Sequence, residues 1–230
     1  MERIVITGAS RGIGRAIAMR LAGPGRELVV AGRNTATLVE TATAVRALGA
    51  TARVVTGNLA TLSGVRALAA LAGDGPVRAV INCAGVAIVR GVEEISPEEW
   101  ERALFLNVTA PFVLVRNLLP RLGPGSSVVT ILSVAARRGF PGWSAYCTAK
   151  FAIEGFTQSL REELRPRGVR VINIYPAATD TALWDGIAGT WPRERMIPPE
   201  QVADAVAFAL ERPDRVLVES IELGDVSGAL

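Results

Sequence analysis

The chain has 230 residues, half of them apolar, with 25 basic and 22 acidic side chains and a net charge of +3. No run of five like charges occurs, which argues against a nucleic-acid surface. There is no histidine, which excludes Ser-His-Asp and Cys-His catalysis and every His-containing metal site.

Cys83 and Cys147 have no CxxC spacing and read as reduced small hydrophobes. No stretch of 18 apolar residues is evident and no signal segment precedes the first strand. The expectation is a cytoplasmic, soluble protein with neither membrane nor nucleic acid as partner.

Residues 3–7 form an apolar run that ends in Thr7-Gly8-Ala9-Ser10-Arg11-Gly12-Ile13-Gly14. A helical pattern follows through Ile17, Ala18 and Leu21. Strand, glycine turn and helix in that order let backbone approach a pyrophosphate at a helix N-terminus. A tight turn needing positive φ would give the same glycines. Residues 28–31 are a second strand, closed by Gly32-Arg33-Asn34. A dinucleotide fold often has a carboxylate at this point to accept from the ribose 2′-hydroxyl. Here Gly32 stands there instead, so both the acceptor and the repulsion of a phosphate are missing.

A helix over about 35–48, a strand over 52–56 ending at Gly57-Asn58-Leu59, and a helix over about 62–71 follow. The strand at 78–81 ends in Asn82-Cys83-Ala84-Gly85. Residues 96–121 read as one long helix or two abutting ones, opened by the cap Ser96-Pro97-Glu98-Glu99. Asn107 lies in the middle, where asparagine is unfavourable by propensity. It either has a task or is an exposed helix residue. A strand over 126–133 ends at Ser133.

The next helix, about 144–165, carries Tyr146 and Lys150 at i and i+4, on one face. Lys150 is the only lysine; the other basic residues are all arginine. An ammonium at about 4 Å, with an effective dielectric of about 20, would favour a phenolate by about 4 kcal/mol. That predicts a phenol pKa lowered by roughly three units. Taken alone, the pair reads equally as an exposed Tyr–Lys pair on an amphipathic helix. A strand over 169–175 leads to Pro176-Ala177-Ala178-Thr179-Asp180-Thr181. Residues 182–198 have no clean period and carry Trp184, Trp191 and Met196, which suggests a lid. A helix over about 199–211 and a strand over 216–223 complete the pattern. The alternation predicts one α/β domain, a doubly wound seven-stranded parallel sheet with helices on both faces. The glycine turn, Arg33, Asn58, Asn82, Ser133 and Pro176 all fall at strand C-terminal ends, where ligands of such sheets bind.

These motifs resemble the short-chain dehydrogenase/reductase family in its single-domain, Rossmann-type form. The resemblance rests on Thr7-Gly8-x-x-x-Gly12-x-Gly14, on Asn82-Cys83-Ala84-Gly85, and on the set Asn107, Ser133, Tyr146 and Lys150. It covers essentially the whole chain. It implies hydride transfer between NADP(H) and a small or medium carbonyl compound or its alcohol. Tyr146 would be the general acid/base, Lys150 would lower its pKa and bind the nicotinamide ribose, Ser133 would bond the substrate oxygen, and Asn107 would hold a water. It assigns the cofactor to Gly8, Ser10, Arg11, Gly12, Ile13, Gly14, Arg33, Asn58, Leu59, Asn82, Ala84, Gly85, Tyr146, Lys150, Pro176, Ala177, Thr179 and Thr181. Arg11 and Arg33 resemble the basic residues of NADP-preferring members.

Three positions depart from the family pattern: Asn58 for an adenine-accepting aspartate, Cys83 for asparagine, and Ala177 for glycine. The tail from Val218 to Leu223 looks more like members acting on hydroxy acids or varied small carbonyls. Substrate contacts are expected from Ser133, Ala135, Trp143, Tyr146, Trp184, Ile187, Trp191 and Met196. Arg137 and Arg138 would either meet a carboxylate or phosphate or be solvated. The family pattern also implies a homotetramer, or failing that a dimer, and no metal. The alternative reading is a regulatory protein that binds NADP(H) without turnover.

Overall fold

The computed structural model describes residues 1–226. The elements alternate as the sequence predicts: β1 (Glu2–Thr7), α1 (Gly12–Leu21), β2 (Arg26–Gly32), α2 (Thr35–Ala47), β3 (Thr51–Thr56), α3 (Leu62–Leu71), β4 (Ala79–Asn82), α4 (Pro97–Leu104), α5 (Ala110–Leu118), β5 (Ser127–Ile131), α6 (Ser144–Leu164), β6 (Arg170–Pro176), α7 (Pro199–Leu210) and β7 (Ser220–Leu223). Among the described residues seven parallel strands form one sheet in the order β3-β2-β1-β4-β5-β6-β7. This is the doubly wound arrangement. The chain first winds outward from β1 to β3, then returns over β1 to place β4 on its other side. The crevice at this reversal, beyond the strand C-termini, is where such sheets bind ligands.

The strand sequences are near-continuous apolar runs because both faces are covered. Alternation sends Ile4, Ile6, Leu28, Val30, Ile172 and Ile174 to one face, against α1, α2 and α7. Val5, Val29, Val80, Val128 and Val171 go to the other, against α3, α5 and α6. The run Pro97–Arg121 is continuous, and by length and mean hydropathy it is apolar enough to cross a membrane, although no 18 consecutive residues of it are apolar. Its apolarity has a place in the fold: Val113, Leu114, Val115 and Leu118 lie in the core. β7 is shorter than the sequence suggests, pairing with β6 only from Ser220 onward.

The end of β1 is fastened to the end of β4. The Thr7 hydroxyl donates to the Ile81 carbonyl (3.2 Å) and accepts from the backbone N–H groups of Cys83 and Ala84 (3.0 Å each). Gly8 follows with φ +70°, and a Cβ on it would come within 2.9 Å of the Ala84 Cα. A Cβ on Gly14 would overlap the Gly8 carbonyl oxygen. Backbone packs on backbone here, leaving the crevice floor without side chains. Gly14→Ala is therefore expected to cost about 1–3 kcal/mol in urea unfolding, because rigid backbone must move. A variant as stable as the wild type would show the turn to be looser than its packing indicates.

Candidate active site

The crevice opens into a cleft of about 380 Å³. Its floor is the N-terminus of α1, which has no side-chain cap, so the first N–H groups of Gly12, Ile13 and Gly14 have no capping partner. An uncapped helix N-terminus with three glycines in the turn suits an anion. Arg11 and Arg33 line the same end and are exposed, and among the described residues neither makes an ion pair or a side-chain hydrogen bond. These features fit a dinucleotide phosphate. Leu59, Ala84, Pro176, Ala177, Thr179 and Thr181 also line the cleft, with Gly85 and Ser10. Thr181 closes it against Gly12, whose Cβ would meet the Thr181 methyl at 3.1 Å.

Asn107 is not an exposed helix residue. It is buried in a π-helical turn, Phe105–Thr109, that joins α4 to α5. Its Nδ2 donates to the Ala103 carbonyl (2.8 Å), the acceptor that its own N–H would use in an α-helix, and to the Val86 carbonyl (3.0 Å). Pro111, four residues on, has no N–H to return to the Asn107 carbonyl. Oδ1 of Asn107 is buried without a partner and faces Gly85, where any Cβ would lie 2.7 Å from it.

Ser133, Tyr146 and Lys150 meet at the cleft's centre. Ser133 sits just past β5, in extended conformation, its Oγ accepting from the Ala135 N–H (3.1 Å). Its hydroxyl lies near enough to the Tyr146 phenol to favour the phenolate. The Lys150 Nζ donates to the Ile131 carbonyl (2.9 Å) and lies 5.4 Å from the Tyr146 ring centroid.

The electrostatics correct the sequence expectation. Burial pushes the Tyr146 phenol up to about 12; the Ser133 hydroxyl pulls the other way, and the Cys147 and Cys83 thiols add to the rise. Burial pulls the Lys150 ammonium down to about 8, opposed by Cys83. The ammonium is engaged by the Ile131 carbonyl and is itself partly neutralised by burial. The cost of desolvating the phenolate wins. Burial likewise pushes the Cys83 thiol up to about 12, so it is a thiol and not a thiolate at neutral pH.

Other expectations need correction. Asn82 does not line the cleft; it is buried at the end of β4 with Oδ1 unpartnered. Asn58 does line the cleft, and its side-chain Oδ1 also accepts from the Ala60 N–H (3.0 Å), which shapes the loop. Ile187 and Met196, within the 182–198 segment, are buried and do not line the cleft. Arg137 does not line the cleft; its side chain is half-exposed, in line with the solvated alternative, but it is held by partners. It pairs with the buried Glu154 carboxylate (2.7 Å), reaches Glu222 (3.5 Å) and lies 4.3 Å over the Tyr175 ring. Arg138 stacks on Phe140.

The segment 182–198 has a defined path. Two 3-10 turns, Trp184–Gly186 and Arg193–Arg195, are tied down by Arg193, which pairs with Asp185 (2.6 Å) and Asp180 (2.9 Å). A parallel bridge joins Thr179 and Ile197. Ala135, Trp143, Trp184 and Trp191 line the cleft above Tyr146. Sequence reading missed Val86, Arg102, Leu106, Phe140 and Leu183, which also line it. Arg102 and Leu106 stand at i and i+4 beside Asn107, so helical spacing held the signal for them.

The family described as short chain dehydrogenase matches residues 2–190. The chain is 30% identical over 226 residues to an uncharacterized oxidoreductase of Staphylococcus epidermidis, covering 96% of each. It is 30% identical over 236 residues to a sepiapterin reductase of Chlorobaculum tepidum, covering 98% of this chain and 96% of the other. Among solved structures, an alcohol dehydrogenase from the archaeon Thermococcus sibiricus, complexed with 5-hydroxy-NADP, superposes with a TM-score of 0.90. Its identity is 27%, covering 98% of this chain and 97% of that one.

Proposed function

The chain belongs to the short-chain dehydrogenase family and is an oxidoreductase of that kind, and we propose that it interconverts a small or medium carbonyl compound and its alcohol with NADP(H), using Tyr146 as the acid and base. The observation that carries this reading is the meeting of the Ser133 hydroxyl, the Tyr146 phenol and the Lys150 ammonium above the glycine-floored end of one cleft. The nicotinamide, when bound, supplies or accepts the hydride.

The chain's own groups handle the oxygen and its proton. Ser133 donates toward the substrate oxygen and steadies its growing charge. A phenol held near 12 stays protonated at neutral pH, yet it is a far stronger acid than an alcohol and gives its proton to an alkoxide downhill. The phenolate left behind is favoured by the Ser133 hydroxyl and by the nearby Lys150 ammonium, the group placed to return a proton. Asn107, with its buried Oδ1 open toward Gly85, is the candidate to hold a water on that return path. In the alcohol-oxidising direction the phenol must first lose its proton, which higher pH favours.

The α1 N-terminus would hold the pyrophosphate, with Leu59 and Ala84 beside the adenine and Pro176, Ala177, Thr179 and Thr181 beside the nicotinamide. Arg11 and Arg33, exposed and unpaired among the described residues, support a 2′-phosphate. The archaeal relative that shares the fold carries an NADP derivative. We assign 182–198 as the substrate lid and the free thiols Cys83 and Cys147 to a reducing, cytoplasmic setting. We also assign a homotetramer. α5 and α6 turn Phe112 and Phe151 outward, 43% and 48% exposed, and α7 does the same with Phe208 at 48%. Apolar faces of this kind suit two-fold interfaces.

Tyr146→Phe is expected to lower carbonyl reduction by about 10²–10⁴-fold while NADPH affinity stays within a few-fold. In the wild type, kcat/KM for reduction should hold level to about pH 7.5 and fall as Lys150 loses its proton near 8. Reduction retained within a few-fold in Tyr146→Phe would remove it as the acid. Wild type that binds NADPH but consumes none with a panel of ketones, aldehydes, diketones and 3-oxo esters would point to the regulatory alternative.

The cofactor preference is tested by kcat/KM for NADPH and NADH. Arg33→Ala should lower the ratio by about tenfold, since a charge-assisted contact is worth about 1.5–3 kcal/mol where buried and less at this exposed site. Gly32→Asp should shift it toward NADH, and there is room for it: a Cβ there meets nothing closer than Leu38 at 3.5 Å. An unchanged ratio in both would overturn the NADP reading.

Light scattering at micromolar concentration should give a tetramer, and Phe151→Glu should give a smaller species. A monomeric wild type would refute the assembly.

A further inference from the structure

Three of the chain's four tryptophans converge at one end of the cleft. Trp143, which precedes α6, stands edge-on to the Tyr146 ring at 5.6 Å between centroids. Trp184 lies 5.8 Å from Trp143, and Trp191 lies 6.3 Å from Trp143 and 4.8 Å from Trp184. The indole N–H groups of the last two are used internally: Trp184 donates to the Thr179 carbonyl (2.9 Å) and Trp191 to the Ile187 carbonyl (3.4 Å). The cleft therefore receives ring surface and no donor from this pair. All three are partly exposed, so ring surface is open to the cleft.

Phe140, Leu183, Val134 and Ala135 complete the lining contributed by the same two segments. These segments send no charge into the cleft. Asp185 and Arg193 pair with each other and do not line it, and Arg137 is turned onto Glu154. A ligand carboxylate seated against these segments would lose water and find no partner among them; the cleft's arginines, Arg11, Arg33 and Arg102, come from other elements.

We infer that the substrate carbonyl is carried by an uncharged molecule with a flat aromatic or conjugated ring, and that Trp143, Trp184 and Trp191 set this specificity. The inference rests on the reading above that a carbonyl is reduced beside Tyr146. Edge-to-face and offset contacts at these centroid spacings favour a flat ring over a saturated one of equal size. Two such contacts correspond to a preference of about tenfold or more.

The test uses three ketones: an aryl ketone, its cyclohexyl counterpart, and the aryl ketone bearing a ring carboxylate. Affinity is measured by calorimetry with NADP+ present, and turnover by NADPH consumption. The wild type should bind the aryl ketone about tenfold more tightly than either of the other two. Trp184→Leu and Trp191→Leu should each narrow the aryl-to-cyclohexyl ratio to about threefold or less, with NADPH affinity reporting that each variant is folded. A cyclohexyl ketone bound as tightly as the aryl one, or a preference that survives in both variants, overturns the inference. Turnover of all three without preference also overturns it and leaves the reductase reading standing. Preferential aryl binding with no turnover of any ketone supports the ring specificity and sinks the reductase reading instead.

Discussion

The contact on which the site depends is the one between the ends of β1 and β4. The Thr7 hydroxyl accepts two backbone N–H groups from the far side of the crevice and donates to a third residue there. Gly8 and Gly14 then bring backbone against backbone, closer than any Cβ allows. With side chains kept out, the uncapped N-terminus of α1 is open to the cleft at the point where strand order reverses. Everything proposed for the cofactor follows from this geometry.

Burial sets the electrostatics above that floor. The phenol and the ammonium both lose water, and each is driven toward its neutral form: Tyr146 up to about 12 and Lys150 down to about 8. The two shifts move the values apart, and both disfavour the phenolate–ammonium ion pair. A neutral phenol backed by an ammonium is a stock of protons, which suits reduction better than oxidation near neutral pH. Among the groups that shift the phenol, Ser133 is the one that lowers its value.

Holding Ser133 in register is in part the work of Arg137. Four residues past Ser133, it reaches Glu154, one turn after Lys150 on α6, and covers the ring of Tyr175, the residue before Pro176. Tyr175 donates to the same carboxylate (3.3 Å), as does Gln158 (2.9 Å). The loop after β5, the helix with Tyr146 and Lys150, and the end of β6 are thus fastened at one buried acid. The carboxylate is buried and the guanidinium half-exposed, so the contact fixes geometry more surely than it adds stability.

The sequence by itself determined the class and order of the elements. Apolar periodicity and glycine turns are local properties, and alternating strands and helices leave little besides a doubly wound parallel sheet. It also placed Ser133, Tyr146 and Lys150 near one another, because i and i+4 share a helix face and strand ends share one edge of the sheet. Tertiary structure alone decided the rest. Asn107 is exposed or buried according to whether its side chain captures the Ala103 carbonyl and makes a π-turn, which helix propensity does not report. Arg137 looked like any loop arginine because its partner lies 17 residues away on another element. Trp143 and Trp191 lie 48 residues apart and meet only because α6, β6 and the lid fold back to the same place. The direction of the Tyr146 shift was beyond the sequence for the same reason: a charge four residues away is local, but desolvation is set by all that the fold packs around it.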